Sequence, residues 1–243
     1  AASLLRSFNL VTYTQGCVGS IINTRSILTA ALLPIRHIHH SLNHTFITEC
    51  LYPFRLPMDP LQWRIRVGSV LANEGGTVYS TRDIIRHPDF GSYNRGNNIA
   101  IMQSLTMFIF VDNTVQSVGI ASNSYTLPDN TAVRIIGWGE IYSGGPTPEE
   151  LHHVEVRTVN QDLCRQRNGL LVTINADVIC TGLIDIGGRG ACYKDEGAPV
   201  LFFDGRQHAL IGVNCRNIGC GSDYFPDVNT RVSSYTNWIL ANA

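Results

Sequence analysis

Hydrophobic and polar positions alternate over short spans of this chain. Gln62-Trp63-Arg64-Ile65-Arg66-Val67 reads polar, apolar, polar, apolar, the period of two that turns every second side chain to one face of a strand. Asn73-Glu74-Gly75-Gly76 follows as a turn before Thr77-Val78-Tyr79, and the pair reads as a hairpin. Further strands are predicted at Gly19-Ser20-Ile21-Ile22, Ser26-Ile27-Leu28-Thr29, Val133-Arg134-Ile135-Ile136, Val154-Glu155-Val156 and Ala209-Leu210-Ile211-Gly212-Val213. Short strands broken by Gly, Pro and Asn predict an all-β protein of barrels or sandwiches. The tail departs from this pattern. Residues 232–240 predict a helix, with Ser233 or Ser234 as its cap.

Strand signals give way to Asp, Asn and Ser over residues 108–126. That divide predicts a first unit at 1–115 and a second at 116–243. Residues 34–60 read as an inserted surface loop carrying His37, His39, His40, His44, Cys50 and several prolines. With 243 residues, the chain is long enough to bury a real core. Its formal net charge of -1, without a basic block, gives a nucleic-acid partner no electrostatic support. The apolar stretch at 107–111 is far too short to span a bilayer, so no membrane partner is expected. No cofactor motif is found, and none is expected.

Seven cysteines without a CxxC pair point to disulfides and an oxidising compartment, and the odd number leaves one thiol over. Asn43-His44-Thr45 is a glycosylation sequon that agrees with secretion, although a chance triplet reads the same. Of the 18 basic residues, Lys194 is the single lysine. Arginine keeps its charge to pH ~12 or above, whereas lysine titrates near ~10.4. A lysine-poor surface suits a strongly alkaline fluid; compositional drift is the other reading.

Seven segments carry a resemblance. They are Cys17-Val18-Gly19-Ser20-Ile21-Ile22 with Leu28-Thr29-Ala30-Ala31, Asn97-Asn98-Ile99-Ala100-Ile101, Gly137-Trp138-Gly139 followed by Ser143-Gly144-Gly145, the run from Gly190 through Cys192-Tyr193-Lys194-Asp195-Glu196-Gly197 to Val200, and Pro226-Asp227-Val228-Asn229-Thr230-Arg231-Val232. Each is weak alone. In this order they resemble the trypsin-like (chymotrypsin-fold) serine peptidases, in particular their insect gut branch. The resemblance implies two six-stranded antiparallel β-barrels packed face to face, a cleft between them and a C-terminal helix. It also implies secretion, into a gut lumen or another body fluid.

The resemblance places the family's histidine at Leu32, its aspartate at Asn98 and its serine at Glu196. In this family the serine attacks a carbonyl, the histidine takes its proton and the aspartate orients the histidine. None of the three side chains present can play its part. The oxyanion glycine falls on Lys194, where a Cβ disfavours the dihedrals that glycine takes freely. Asp195 holds the position that pairs with the family's freed amino terminus. This chain begins Ala1-Ala2-Ser3, as though the leading segment were lost or omitted. Asp195 is then expected to need another cation or a proton. The floor acid of the specificity pocket falls on Gly190, and its wall glycines fall on Asn217 and Asp227. Asn217 is expected to narrow the mouth of this vestigial pocket. Asp227 either returns a carboxylate to its base, to receive a basic side chain, or pairs with a neighbouring donor in a filled pocket.

Family disulfides fall on Cys164–Cys180 and Cys192–Cys220. The first closes a loop of about 15 residues, for which chain entropy gives roughly ~3 kcal/mol. Cys17 would normally bond the residue after the catalytic histidine, here Leu33, so Cys50 is its expected substitute. Cys215 remains as a free thiol, either buried and inert or a link between chains. The histidines at 37–44 read as a solvated loop rather than a metal site, since an irregular loop lacks a fixed scaffold. Lys194 reads as an ion-pair member rather than a nucleophile.

The expectation at this point is a secreted, catalytically inactive homologue, hence not an enzyme. It would act by binding a protein or peptide partner, such as a protease, an inhibitor or an immune factor, in a digestive or immune fluid. The alternatives are a structural, storage or carrier protein assembled through Cys215, and an enzyme of different chemistry using Lys194, Glu196 or Cys215.

Overall fold

The structure is a computed structural model that describes residues 1–31, 59–91, 96–169 and 171–243, the side chain of residue 216 excepted. The first six strands are β1 (Ala2–Arg6), β2 (Thr14–Ile21), β3 (Ser26–Thr29), β4 (Trp63–Val67), β5 (Thr77–Arg86) and β6 (Ala100–Ser104). They close into a barrel in the order β1-β2-β3-β6-β5-β4. The alternation read at 62–67 is the reason β4 sits where it does. Trp63, Ile65 and Val67 are buried, while Arg64 and Arg66 line the outer face.

The second half contains β7 (Gly119–Ile120), β8 (Ala132–Gly137), β9 (His152–Val159), α1 (Gln161–Asn168), β10 (Val178–Gly182), β11 (Pro199–Phe203), β12 (His208–Arg216), β13 (Asp227–Arg231) and α2 (Thr236–Asn242). Strands run in the order β11-β8-β9-β10-β13-β12, and a β11–β12 pairing closes the ring. Thus the protein is two closed six-stranded antiparallel barrels, with the two-residue β7 added parallel to β12. Among the described residues, closure leaves no long exposed edge on either sheet.

Two differences from the sequence expectation concern helices. A short α1 forms because Asn160 caps it, its Oδ1 accepting from Asp162 N at 3.0 Å and Leu163 N at 3.1 Å. Asp162 stands in its first turn and Arg165 and Arg167 in its last, which complements the helix dipole. The tail begins as a 3-10 turn at Val232–Ser234 and becomes α-helical only at Thr236. Tyr235 stands at its N-cap without a side-chain bond, so neither Ser233 nor Ser234 is the cap.

The barrels meet through specific bonds. Trp138, fully buried, donates its indole N–H to Val70 O at 2.9 Å, which satisfies the one polar atom of a large apolar side chain. Thr230 Oγ1 donates to Asn98 O at 2.8 Å, and Val18 N donates to Glu196 O at 3.1 Å. The last two bonds pin the candidate site to both barrels.

Candidate active-site cleft

The loop between β10 and β11 holds most of the residues singled out by sequence. Asp195 N donates to Cys192 O at 3.1 Å and Ala198 N to Asp195 O at 2.8 Å, a pair of tight turns. Gly197 then lies at φ +83, and a Cβ there would stand 2.1 Å from Val18 O. Only glycine allows the loop to approach the first barrel this closely. Lys194 lies at φ +74 and so takes the left-handed turn in spite of its Cβ, at a cost of about 1 kcal/mol.

Glu196 is buried, and its Oε2 accepts from Lys194 N at 2.9 Å. The Lys194 ammonium bonds Thr147 Oγ1 and lies 3.6 Å from Glu140 Oε1. Lys194 is therefore a half-buried ion-pair member, held by Glu140 and Thr147, which the sequence reading did not name although they flank its Ser143-Gly144-Gly145 segment. Asn98 is buried two residues before β6, its carbonyl bound to Thr230. Leu32 lies outside the described residues, as do Asn43, Cys50 and the histidines at 37–44.

Asp195 is enclosed by the second barrel. Its Oδ1 accepts from Gly139 N at 2.8 Å and its Oδ2 from Cys192 N at 3.0 Å. Burial pushes its carboxyl up to about 6, opposed by those two N–H bonds and by His152. In place of the expected cation stands a pair of backbone amides, and the carboxyl binds a proton below about pH 6. Gly137 and Gly139 make room for it, since a Cβ at either would stand 2.0 Å or 2.3 Å from a carboxylate oxygen. Sequence reading found Gly137-Trp138-Gly139 as a motif but not the carboxylate that requires it.

Asp227 begins β13 and is fully enclosed. Its Oδ2 accepts from Ala191 N at 3.0 Å, and a Cβ on Gly190 would stand 2.9 Å from the same oxygen. The structure thus brings Asp227 and Gly190 together. Burial pushes the Asp227 carboxyl up to about 8, Ala191 N opposes this, and Asp195 adds to it. Asn217 is buried rather than placed as a rim. Its Nδ2 donates to Cys192 O at 3.1 Å, and its Oδ1 accepts from Asn214 at 3.0 Å. Asn214 also reaches Asn229 Oδ1 at 3.0 Å, and Asn229 donates to Thr181 Oγ1 at 3.0 Å. This buried amide ladder satisfies its members internally, and only the structure reveals it.

Disulfides join Cys164 to Cys180 and Cys192 to Cys220, with Cα–Cα distances of 6.3 Å and 4.6 Å. Cys17 is a buried thiol among the described residues, and its expected partner Cys50 lies outside them. Apolar surroundings and the nearby Glu196 charge push the Cys17 thiol well up, with Arg6 opposing. Cys215 is buried in β12, and its Sγ donates to Val228 O at 3.1 Å. Among the described residues no cluster of His, Cys, Asp or Glu is arranged to hold a metal ion.

Two closed barrels, with a loop from one bonded into the other, define the architecture of chymotrypsin-type peptidases. The trypsin family model matches residues 6–239, and the chain belongs to that family. It is 41% identical to Trypsin CFT-1 of Choristoneura fumiferana, over 100% of this chain and 85% of that protein. It is 38% identical to Trypsin, alkaline C of Manduca sexta, over 99% and 84% of the two chains. Achelase-1 of Lonomia achelous is 34% identical over 94% of this chain and 89% of its own.

These relatives correct the functional expectation. The chain is similar along nearly its whole length to proteins named trypsins, and nothing in the comparisons carries a non-catalytic role. The reading of the chain as an inactive binding homologue, with its storage, carrier and other-enzyme alternatives, is therefore withdrawn. It had rested on three side chains, whereas the similarity extends through both barrels.

Proposed function

We propose that this chain acts on polypeptides in an extracellular digestive fluid, with the endopeptidase activity of the trypsins it resembles. The polypeptide would lie between the barrels and place a basic side chain against Asp227. One observation carries this reading: a buried carboxylate at Gly190 and Ala191, with a single backbone N–H on Oδ2. A guanidinium or ammonium beside it would supply the charge that one amide leaves uncompensated. The names of the Manduca relatives, alkaline trypsins, agree with the near absence of lysine in favouring an alkaline fluid.

The assignment of Leu32, Asn98 and Glu196 to the family's relay positions remains part of this proposal. Those side chains contain no hydroxyl and no imidazole, so one measurement tests assignment and activity together. The purified chain is mixed with arginyl, lysyl and apolar peptide amides. The expected result is turnover of the basic amides, with kcat/KM falling at least about tenfold on Asp227→Asn, the loss of one charged contact. A chain that leaves all three amides intact overturns the reading. Inhibition of the turnover by a serine-directed phosphonate would move the nucleophile away from position 196.

A further inference from the structure

The hairpin tip between β1 and β2 presents apolar side chains to solvent. Phe8 is 71% exposed, Leu10 48% and Val11 78%, and Leu61 beside them is 60% exposed. The tip is firmly held. Asn9 Oδ1 accepts from Val11 N and Thr12 N, both at 2.9 Å, from Ser7 Oγ at 3.0 Å and from Thr12 Oγ1 at 3.2 Å. Leu10 sits at φ +61, a region that disfavours a residue with a branched side chain. Ser7 N donates to Gln62 O at 2.9 Å and Tyr13 OH to Leu61 O at 2.7 Å, which ties the tip to the 3-10 turn at Pro60–Gln62.

Cations stand directly behind the apex. The Arg6 guanidinium lies 4.3 Å from the Phe8 ring centre, and that of Arg64 lies 4.6 Å from the Tyr13 ring centre. Neither Arg6 nor Arg64 is in an ion pair among the described residues; their partners there are rings and carbonyls. The neighbouring carboxylate, Asp59, accepts from Leu61 N at 3.0 Å as the cap of the turn.

We propose that this tip is a peripheral docking site for an anionic lipid surface. Phe8, Leu10 and Val11 enter the boundary between headgroups and acyl chains, and Arg6 and Arg64 meet the lipid phosphates. The order of chemistry carries the choice. A bilayer becomes apolar beneath a negatively charged layer, and the tip becomes apolar ahead of a positively charged base. A protein partner would need a socket of the same depth to cover a convex, projecting apex. The contact is interfacial. No helix among the described residues is long and apolar enough to cross a membrane, and none is required.

Co-sedimentation of the intact chain with vesicles tests the proposal. Vesicles of phosphatidylcholine alone are compared with vesicles that also contain phosphatidylserine, at low and at high salt. Binding is expected to the phosphatidylserine vesicles and to weaken with salt. The double variant Phe8→Ala with Val11→Ala should bind about tenfold less or weaker. Arg64→Gln should cost roughly fivefold, and only on the anionic vesicles. Unchanged thermal melting of each variant shows that the fold is intact. Failure of the chain to bind either vesicle, equal binding to both, or indifference to the double variant overturns the proposal. A dimer without lipid that the double variant dissolves would assign the tip to a second copy, and would overturn it as well.

Discussion

Two carboxylates of the second barrel are both buried, Asp227 the more deeply, and are supplied very differently with hydrogen-bond donors. Asp195 accepts an N–H on each oxygen, from Gly139 and Cys192, and its carboxyl is raised to about 6. Asp227 accepts one backbone N–H, from Ala191, feels the charge of Asp195, and is raised to about 8. Burial is the dominant cause in both. The difference is the donor that Asp227 lacks and the charge it faces. Asp195 is solvated by backbone amides of its own loop and of the turn after β8, and needs no visitor. Asp227 is the position where an external cation would gain most.

The largest expected effect breaks this comparison at Asp227. A carboxyl raised on folding binds its proton more tightly in the folded state, so stability falls as pH rises from about 4 to about 8. At about 1.4 kcal/mol per tenfold change in proton affinity, the loss is about 6 kcal/mol at most. Asp227→Asn should abolish it. The variant should match the parent near pH 4 and exceed it by several kcal/mol at pH 9 in urea unfolding with disulfides intact. A parent curve with no fall above pH 6 would refute the contrast, since the Asp195 step, about 3 kcal/mol, ends there.

Next comes Gly139→Ala, which drives a Cβ to 2.3 Å from an Asp195 oxygen and is expected to cost about 3 kcal/mol at any pH. Urea midpoints read this directly, and a loss below about 1 kcal/mol would mean that the cradle yields easily. Asn160→Ala is the remote control: loss of the α1 cap should cost about 1 kcal/mol, without altering the pH dependence. The smallest effect is at Lys194→Gly. Relief of the φ +74 strain and loss of the Glu140 ion pair should nearly cancel, leaving a change within about 0.5 kcal/mol in the same measurement.

Much of the fold was legible because strands announce themselves locally. Ser26–Thr29 was read with the bounds that β3 has, and the alternation around Trp63 named its own inner face. The short α1 went unread because eight residues of weak amphipathicity carry little periodic signal. Its marks, Asn160 ahead of Asp162 and Arg165 with Arg167 at the end, are cap and dipole signals that needed closer reading. The site was legible as a set of positions and less so as contacts. Gly190, Lys194, Asp195, Glu196, Asn217 and Asp227 were all named from sequence, yet the contacts of Lys194 with Glu140 and Thr147, and the bonds from Asn214 to Asn217 and Asn229, were not. Most of those partners are far apart in sequence, Glu140 and Thr147 lying 54 and 47 residues from Lys194, and only folding brings them together.

Residue types and their spacing determined by themselves that this chain folds as a β-rich pair of units with its chemistry on the loops, since period, turn residues and motif order are properties of neighbours along the chain. Only the tertiary structure decided what each buried charge meets. It gave Asp195 two amides and Asp227 one, buried the Cys17 thiol, and turned Asn217 inward. A proton's affinity and a thiol's partner depend on distance and on exclusion of water, and both are set by strands that meet from far apart in sequence.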